Sequence, residues 1–172
     1  MDKSQLYKVP LKYGIGGGFI AIALFLTLYY SGADPISDVR PLDFILLPIF
    51  IFFSIKELRD YKFGGTMFYW QGMTVGFVCY LLIALLSASF LGLFLEVIDP
   101  ALFLSHKQEN IAILTADSEK WVEQIGADAY KETLASLKGT TVFSLVADDF
   151  LKKVFIGFLA TTIIAIIFKR TK

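Results

Sequence analysis

The stretch TVGFVCYLLIALLSASFLGLFLEV, Thr74–Val97, decides the class of the fold. Twenty-two consecutive residues, Thr74 to Leu95, carry no charge, and most are Leu, Phe, Ala, Val or Ile. A helix rises 1.5 Å per residue, so about 20 apolar residues cross a hydrocarbon core of about 30 Å. The stretch reads as a membrane-spanning helix. Composition agrees: of 172 residues, 56% are hydrophobic and 19% charged, against about 25% charged in soluble domains.

Working towards the N-terminus, Thr66–Met73 is aromatic and amphipathic, an interfacial lead-in to the long span. The charged turn Lys56–Gly65 comes before it, and before that LDFILLPIFIFFSI, Leu42–Ile55. This segment is short, holds Pro48, and has Asp43 near its start; crossing the bilayer would need Lys56 to snorkel. A re-entrant or interfacial segment is the alternative reading. Ser31–Arg40, with Gly32, Asp34, Pro35 and Asp38, reads as a turn. Tyr13–Tyr30 is uncharged with aromatics at both ends, where headgroups lie. A cleavable signal peptide competes there, since Ser31-Gly32-Ala33 are small, but the apolar part is long for one.

Towards the C-terminus, Pro100 ends the long span and about 50 mostly polar residues follow. Within them Trp121, Val122, Ile125, Ala129, Leu134 and Leu137 recur at helical spacing, predicting one amphipathic helix over Ser118–Leu137. Asp117 or Ser118 caps its start and Gly139 stops it; Ala101–Leu114 reads as a weaker helix. Leu151–Phe168 is the last span. The expected architecture is all-α and polytopic in a single domain, with four transmembrane helices at about 13–30, 42–58, 74–97 and 151–168. An extracytoplasmic amphipathic helical loop, about 99–149, joins the third and fourth.

Charge orients this plan. With four spans, the head, the Lys56–Gly65 turn and the tail share one side and carry nine basic residues: Lys3, Lys8, Lys12, Lys56, Arg59, Lys62, Lys169, Arg170 and Lys172. The first opposite turn has only Arg40, and Glu96–Asp149 holds ten acids against four lysines, a net −6. The positive-inside rule then puts both termini in the cytoplasm. Lys152 and Lys153 are the basic exception outside. A net charge of zero gives no reason to expect nucleic acid as a partner.

Motifs for chemistry are sparse. Gly14-Ile-Gly-Gly-Gly18 lacks the spacing and the lysine of a nucleotide loop. It reads as packing: Gly14 and Gly18 are four apart, as are Gly72 and Gly76, and small residues let membrane helices approach closely. Ridges Ala84/Ala88/Gly92 and Gly157/Thr161/Ala165 follow the same rule, within one chain or across a homo-oligomer face. His106, the one histidine, and Cys79, the one cysteine, lie in unrelated segments, so no metal, cofactor or catalytic residues are expected. Ser87 and Ser89 lie within the third span with no Lys or His base expected at their depth. Asp148 and Asp149 read as caps of the last helix. Asp43, Glu96, Lys152 and Lys153 are expected to form interfacial charge pairs near the outer ends.

Several short motifs together carry a family likeness. They are Lys12-Tyr13-Gly14 leading into a glycine-rich first span, Ile55–Asp60 followed by Gly64-Gly65, the aromatic Phe68/Trp70-Gln71-Gly72, and Val97-Ile98-Asp99-Pro100. The chain resembles a family of small four-helix inner-membrane proteins, a domain of unknown function common in bacteroidete bacteria. That resemblance implies a fold and a bacterial cytoplasmic (inner) membrane location, and no activity or site residues. The residues themselves point to a non-enzymatic scaffold or accessory subunit in the lipid bilayer. It would meet a protein partner at the outer face through Glu119, Trp121, Glu123 and Asp128. A small-molecule or ion permease acting as an oligomer is the alternative, and a membrane enzyme acting on lipid a third reading.

Overall fold

The computed structural model describes residues 4–170, and the side chains of all of these except residues 38–41 and 43. Every regular element described is helical: α1 (Gln5–Ser31), α2 (Pro35–Glu57), α3 (Tyr69–Leu93), α4 (Pro100–Ala116), α5 (Ser118–Ile125), α6 (Ala127–Gly139) and α7 (Val142–Phe168). Helices α2 and α3 each end in a wider π turn, Leu58–Lys62 and Phe94–Ile98. There the N–H groups of Phe63 and Asp99 reach back five residues, to the carbonyls of Leu58 and Phe94. Three helical stretches are long and apolar enough to cross a membrane: Gln5–Ser31, Tyr69–Ile98 and Val142–Phe168.

The helices are longer than the apolar runs that announce them, because their ends are capped by polar residues. Helix α2 begins at Pro35, inside the segment that reads as a turn. The Asp34 carboxylate accepts from the Ile36 N–H at 2.8 Å, and Pro35 takes the first helical position, where its missing N–H costs nothing. Helix α3 begins at Tyr69, so five of the eight residues of the expected interfacial lead-in are helix; the Gln71 side chain accepts from the Phe68 N–H. Helix α7 starts at Val142, nine residues before the expected span. Its cap is reciprocal: Ser144 N–H donates to Thr141 Oγ1 (3.1 Å), and Thr141 N–H to Ser144 Oγ (2.9 Å). Asp148 and Asp149, expected as caps, therefore lie inside the helix.

The chain divides into two compact units, Met1–Phe90 with Asp148–Lys172, and Leu91–Ala147. In the first, α1, α2, α3 and α7 share a core that includes Leu47, Ile51, Ile55, Val75, Tyr80 and Ile83. Helix α3 is its centre. Gly14, Gly17 and Gly18 of α1 face it so closely that a Cβ built on them would stand 2.8 Å from Leu82, 2.7 Å from Ile83 and 2.6 Å from Leu86. On another side Gly72 faces Ala165 and Gly76 faces Thr161, while Tyr80 covers Gly157 of α7. At one end, Met67 and Arg170 exchange both backbone hydrogen bonds (3.1 and 3.0 Å), which sets the foot of α3 level with the end of α7.

The second unit holds α4, α5 and α6. Phe103 and Leu114 of α4 are buried in it, and Lys107 Nζ donates to the Thr140 carbonyl at 2.9 Å. The single helix expected over Ser118–Leu137 is two helices. Gly126 separates them with φ +86° and ψ 154°, a conformation that a residue with a Cβ rarely takes. The apolar periodicity continues across the break, and so conceals it.

Small residues at the α3 contacts set a measurable contrast. Gly16 of α1 has only Phe50 near its Cβ position, at 4.0 Å. Gly16→Ala is expected to be neutral or to stabilise by about 0.5–1 kcal/mol, through helix propensity. Gly76→Ala is expected to destabilise by about 1–3 kcal/mol, because the new methyl collides with Thr161. Thermal unfolding of the two variants in detergent checks the opposite signs.

Candidate functional site

Three of the buried polar side chains of the first unit, Ser87, Asp149 and Lys153, meet between α3 and α7. Lys153 Nζ donates to Asp149 Oδ2 at 2.8 Å and to Ser87 Oγ at 3.0 Å. Asp149 and Lys153 are four apart on α7, so the helix itself aligns them. Their side chains are 6% and 4% exposed, and Ser87 is buried. Removing one charge of such a pair from an apolar site is costly, so the three groups act as a unit. Lysine 152 turns outward and pairs with Asp148 at 2.7 Å, with both side chains about half exposed.

This arrangement differs from what the sequence suggests. Lys152 and Lys153 bond to carboxylates on their own helix. Glu96 is exposed on the π turn after α3, and the side chain of Asp43 lies outside the described residues. A lysine does stand at the depth of Ser87, against expectation. It lies far off in sequence and enters because α7 begins about two turns before Asp149.

The polarity of the contact bears on chemistry. A serine–lysine nucleophile needs a neutral amine that accepts the hydroxyl proton. Here the ammonium donates to Ser87, whose own hydroxyl is directed to the Ala84 carbonyl at 3.3 Å. The Lys153 amine is also engaged by the Asp149 carboxylate at 2.8 Å. The geometry is that of a buried ion pair with a hydroxyl ligand.

Depth also bears on its role. From the paired foot at Met67 and Arg170, Lys153 lies 15 residues before Phe168, and Ser87 18 residues after Tyr69. At 1.5 Å per residue these heights are about 22 and 27 Å. The cluster thus lies far along the α3–α7 contact from the foot.

At the foot a second polar network ties α1 to α2. Lys12 Nζ and the Tyr13 hydroxyl both donate to Glu57 Oε2, each at 2.8 Å. Next to it Arg59 lies over the Phe168 ring, 4.3 Å from its centroid, and bonds Asp60 at 2.6 Å. The Arg59 hydrogen bond, with the charges of Arg59, Lys56 and Arg170, holds the Asp60 carboxyl below its usual range.

The remaining sequence candidates fall in the second unit or in the packing just described. Trp121 is half-buried on α5, while Glu119, Glu123 and Asp128 are exposed. Glu119 and Glu123 border a shallow depression with Asp117 and Lys120. His106 lies on α4 with the Asn110 amide 3.0 Å from Nε2. Among the described residues no three His, Cys, Asp or Glu side chains are grouped to hold a metal ion. Gly14, Gly18, Gly72 and Gly76 all face a neighbouring helix of the same chain.

Residues 12–170 match the family described as "Protein of unknown function (DUF4199)", and the chain belongs to that family. No curated protein and no solved structure matches it.

The buried pair sets a clear expectation. Asp149→Ala takes away the carboxylate 2.8 Å from the Lys153 ammonium and should cost about 3 kcal/mol. This is the low end for breaking a buried pair, since Ser87 still accepts. Asp149→Leu combined with Lys153→Met should recover most of that stability, because no charge is left to desolvate. Thermal melts of the single and double variants, taken in one detergent, measure the difference.

Proposed function

We propose that this member of the family is a four-span protein of the bacterial inner membrane with both termini cytoplasmic. In this reading it works as a non-enzymatic scaffold or accessory subunit, meeting a basic protein partner at its outer face. Helix α2 is the additional span. Its 23 residues reach about 34 Å, and apolar side chains lie on both its faces: Leu47, Ile51 and Ile55 in the core, Ile45, Ile49 and Phe53 exposed. From Phe44 to Phe53 the helix is apolar on all sides, which suits a bilayer.

One observation carries the partner reading. Helices α5 and α6 have no buried residue, although Trp121, Val122, Leu134 and Leu137 line them at helical spacing. The unit they belong to, 91–147, has eight acids against four lysines. Asp148 and Asp149 add nothing to that field, since the lysines one turn on neutralise them. A net −4 beside half-covered apolar side chains suits a basic partner, which a negative field would also steer.

The permease reading draws on the buried Lys153–Asp149 pair, because ionisable groups within spans are usually kept for function. Against it stands the height of the pair, about 22–27 Å along the helices from the foot, where it anchors α3 to α7. The direction of the Lys153–Ser87 hydrogen bond speaks against nucleophilic chemistry there.

Topology is tested by cysteine accessibility in a Cys79→Ala background. Residue 62 should label only from the cytoplasm and residue 120 only from outside; labelling of both from one side refutes the orientation. The partner reading is tested by pull-down from detergent extract across a salt series, beside a liposome flux assay. Retention should fall as salt rises, since exposed charges are screened within about 8–10 Å near physiological ionic strength. Glu119→Lys with Glu123→Lys should weaken retention while the spans stay folded. Solute flux by the unaltered chain, with no retained partner at any salt, would replace this reading with the permease.

A further inference from the structure

Four cations at the foot of the first unit form no ion pair with a described acidic side chain. Lys56, Lys62, Lys169 and Arg170 are exposed, and no acidic side chain lies within ion-pair distance of them among the described residues. The two acids nearby are already engaged, Glu57 by Lys12 and Tyr13, Asp60 by Arg59. Arg170 contributes its backbone to the pairing with Met67, so its side chain is not needed for that contact.

Below these cations lies an apolar seam between α2 and α7. Phe52 and Phe168 meet edge to face, with ring centroids 5.1 Å apart. The Lys56 ammonium is 5.9 Å from the Phe52 ring centroid, and the Arg59 guanidinium 4.3 Å from that of Phe168. Ile49, Phe53 and Lys56 follow one another at helical spacing along α2, and all three are exposed. One stripe thus passes from aliphatic to aromatic to cationic over two helical turns, about 10 Å. Lys56 stands over Phe52 and Arg170 lies two residues beyond Phe168, so the contact of the two rings brings both cations to one rim.

We propose that this rim is a binding site for an anionic phospholipid, whose headgroup phosphate is held by Lys56, Lys62 and Arg170 and whose acyl chain lies along Ile49, Phe52 and Phe53. A phospholipid offers the same order of chemistry, charge above and hydrocarbon below, on the scale of the stripe. A zwitterionic lipid supplies the hydrocarbon but carries a compensating cation, so the unpaired lysines select the anionic headgroup. The inference rests on the helices spanning a bilayer and is independent of any protein partner.

The test uses the full chain with Trp70→Phe and Trp121→Phe, and with Ile49→Trp as the single reporter on the stripe. It is reconstituted in vesicles that mix phosphatidylglycerol and phosphatidylcholine, with one or the other brominated on its acyl chains. Brominated phosphatidylglycerol should quench the reporter at the lower mole fraction, with a preference of about threefold or more. Lys56→Gln, Lys62→Gln and Arg170→Gln together should bring the preference to about one, whereas Lys131→Gln with Lys138→Gln should leave it in place. Rising salt should erase it too, and this arm decides the matter if the triple variant fails to insert. Equal quenching by the two lipids overturns the proposal alone, as does a preference that survives both high salt and the triple substitution. Absence of quenching by either lipid overturns it together with the membrane-spanning reading.

Discussion

The close approach of α1 and α7 to α3 is the constraint on which the first unit depends. In a bilayer, apolar side chains gain nothing by leaving lipid for protein, so helices associate through packing and internal hydrogen bonds. Glycines 14, 17 and 18 bring α1 onto Leu82, Ile83 and Leu86, and Gly72 and Gly76 bring α3 onto Ala165 and Thr161. The larger side chains of that core, Leu47, Ile51, Ile55 and Ile83 among them, fill the space left once these distances are set. The outer faces stay apolar, with Phe19, Ile45, Phe77, Phe155 and Ile163 exposed, as lipid contact requires.

Polar contacts finish what packing begins. At the foot, the Met67–Arg170 backbone pair and the Lys12–Glu57–Tyr13 network tie α3 to α7 and α1 to α2. About 22–27 Å along, Lys153 bridges Asp149 and Ser87. With one fastening near each end, sliding of α3 against α7 by even one residue would break both. This gives the buried charges a mechanical reason to be present. Such a pair holds a register more than it adds stability, because desolvation offsets much of its attraction. In the second unit the Lys107–Thr140 bond ties α4 to the end of α6, and the apolar side chains of α5 and α6 stay only partly covered.

The sequence by itself determined the helical class, the membrane character, the glycines that face other helices, and the family. Each is written in local terms that survive without coordinates: an uncharged run of 22 residues, repeats of small residues four apart, and short turn motifs. Family membership over residues 12–170 agrees with the likeness read from those motifs. Helix lengths were only partly legible. Hydropathy marks the lipid-facing stretch, whereas Asp34 and the Thr141/Ser144 pair place the starts of α2 and α7 in polar sequence. The break at Gly126 was concealed because an apolar stripe continues through it, and a single positive φ leaves no trace in periodicity.

Only the tertiary structure decided what the charges do. Read along the chain, Lys152 and Lys153 are basic residues on the wrong side, and Asp148 and Asp149 are helix caps. Once α7 starts at Val142, all four lie within one helix at i, i+4, and two paired salt bridges follow from helical geometry. The meeting of Ser87 with Lys153 spans 66 residues and depends on how α3 and α7 are rotated against each other. That rotation is set by Gly76 on Thr161 and Tyr80 on Gly157, contacts between residues that no local pattern pairs. Likewise, the aromatic seam under Lys56 exists because α2 and α7 bring Phe52 to Phe168, 116 positions apart in the chain. Periodicity says which residues share a face of one helix, and packing alone says which faces meet.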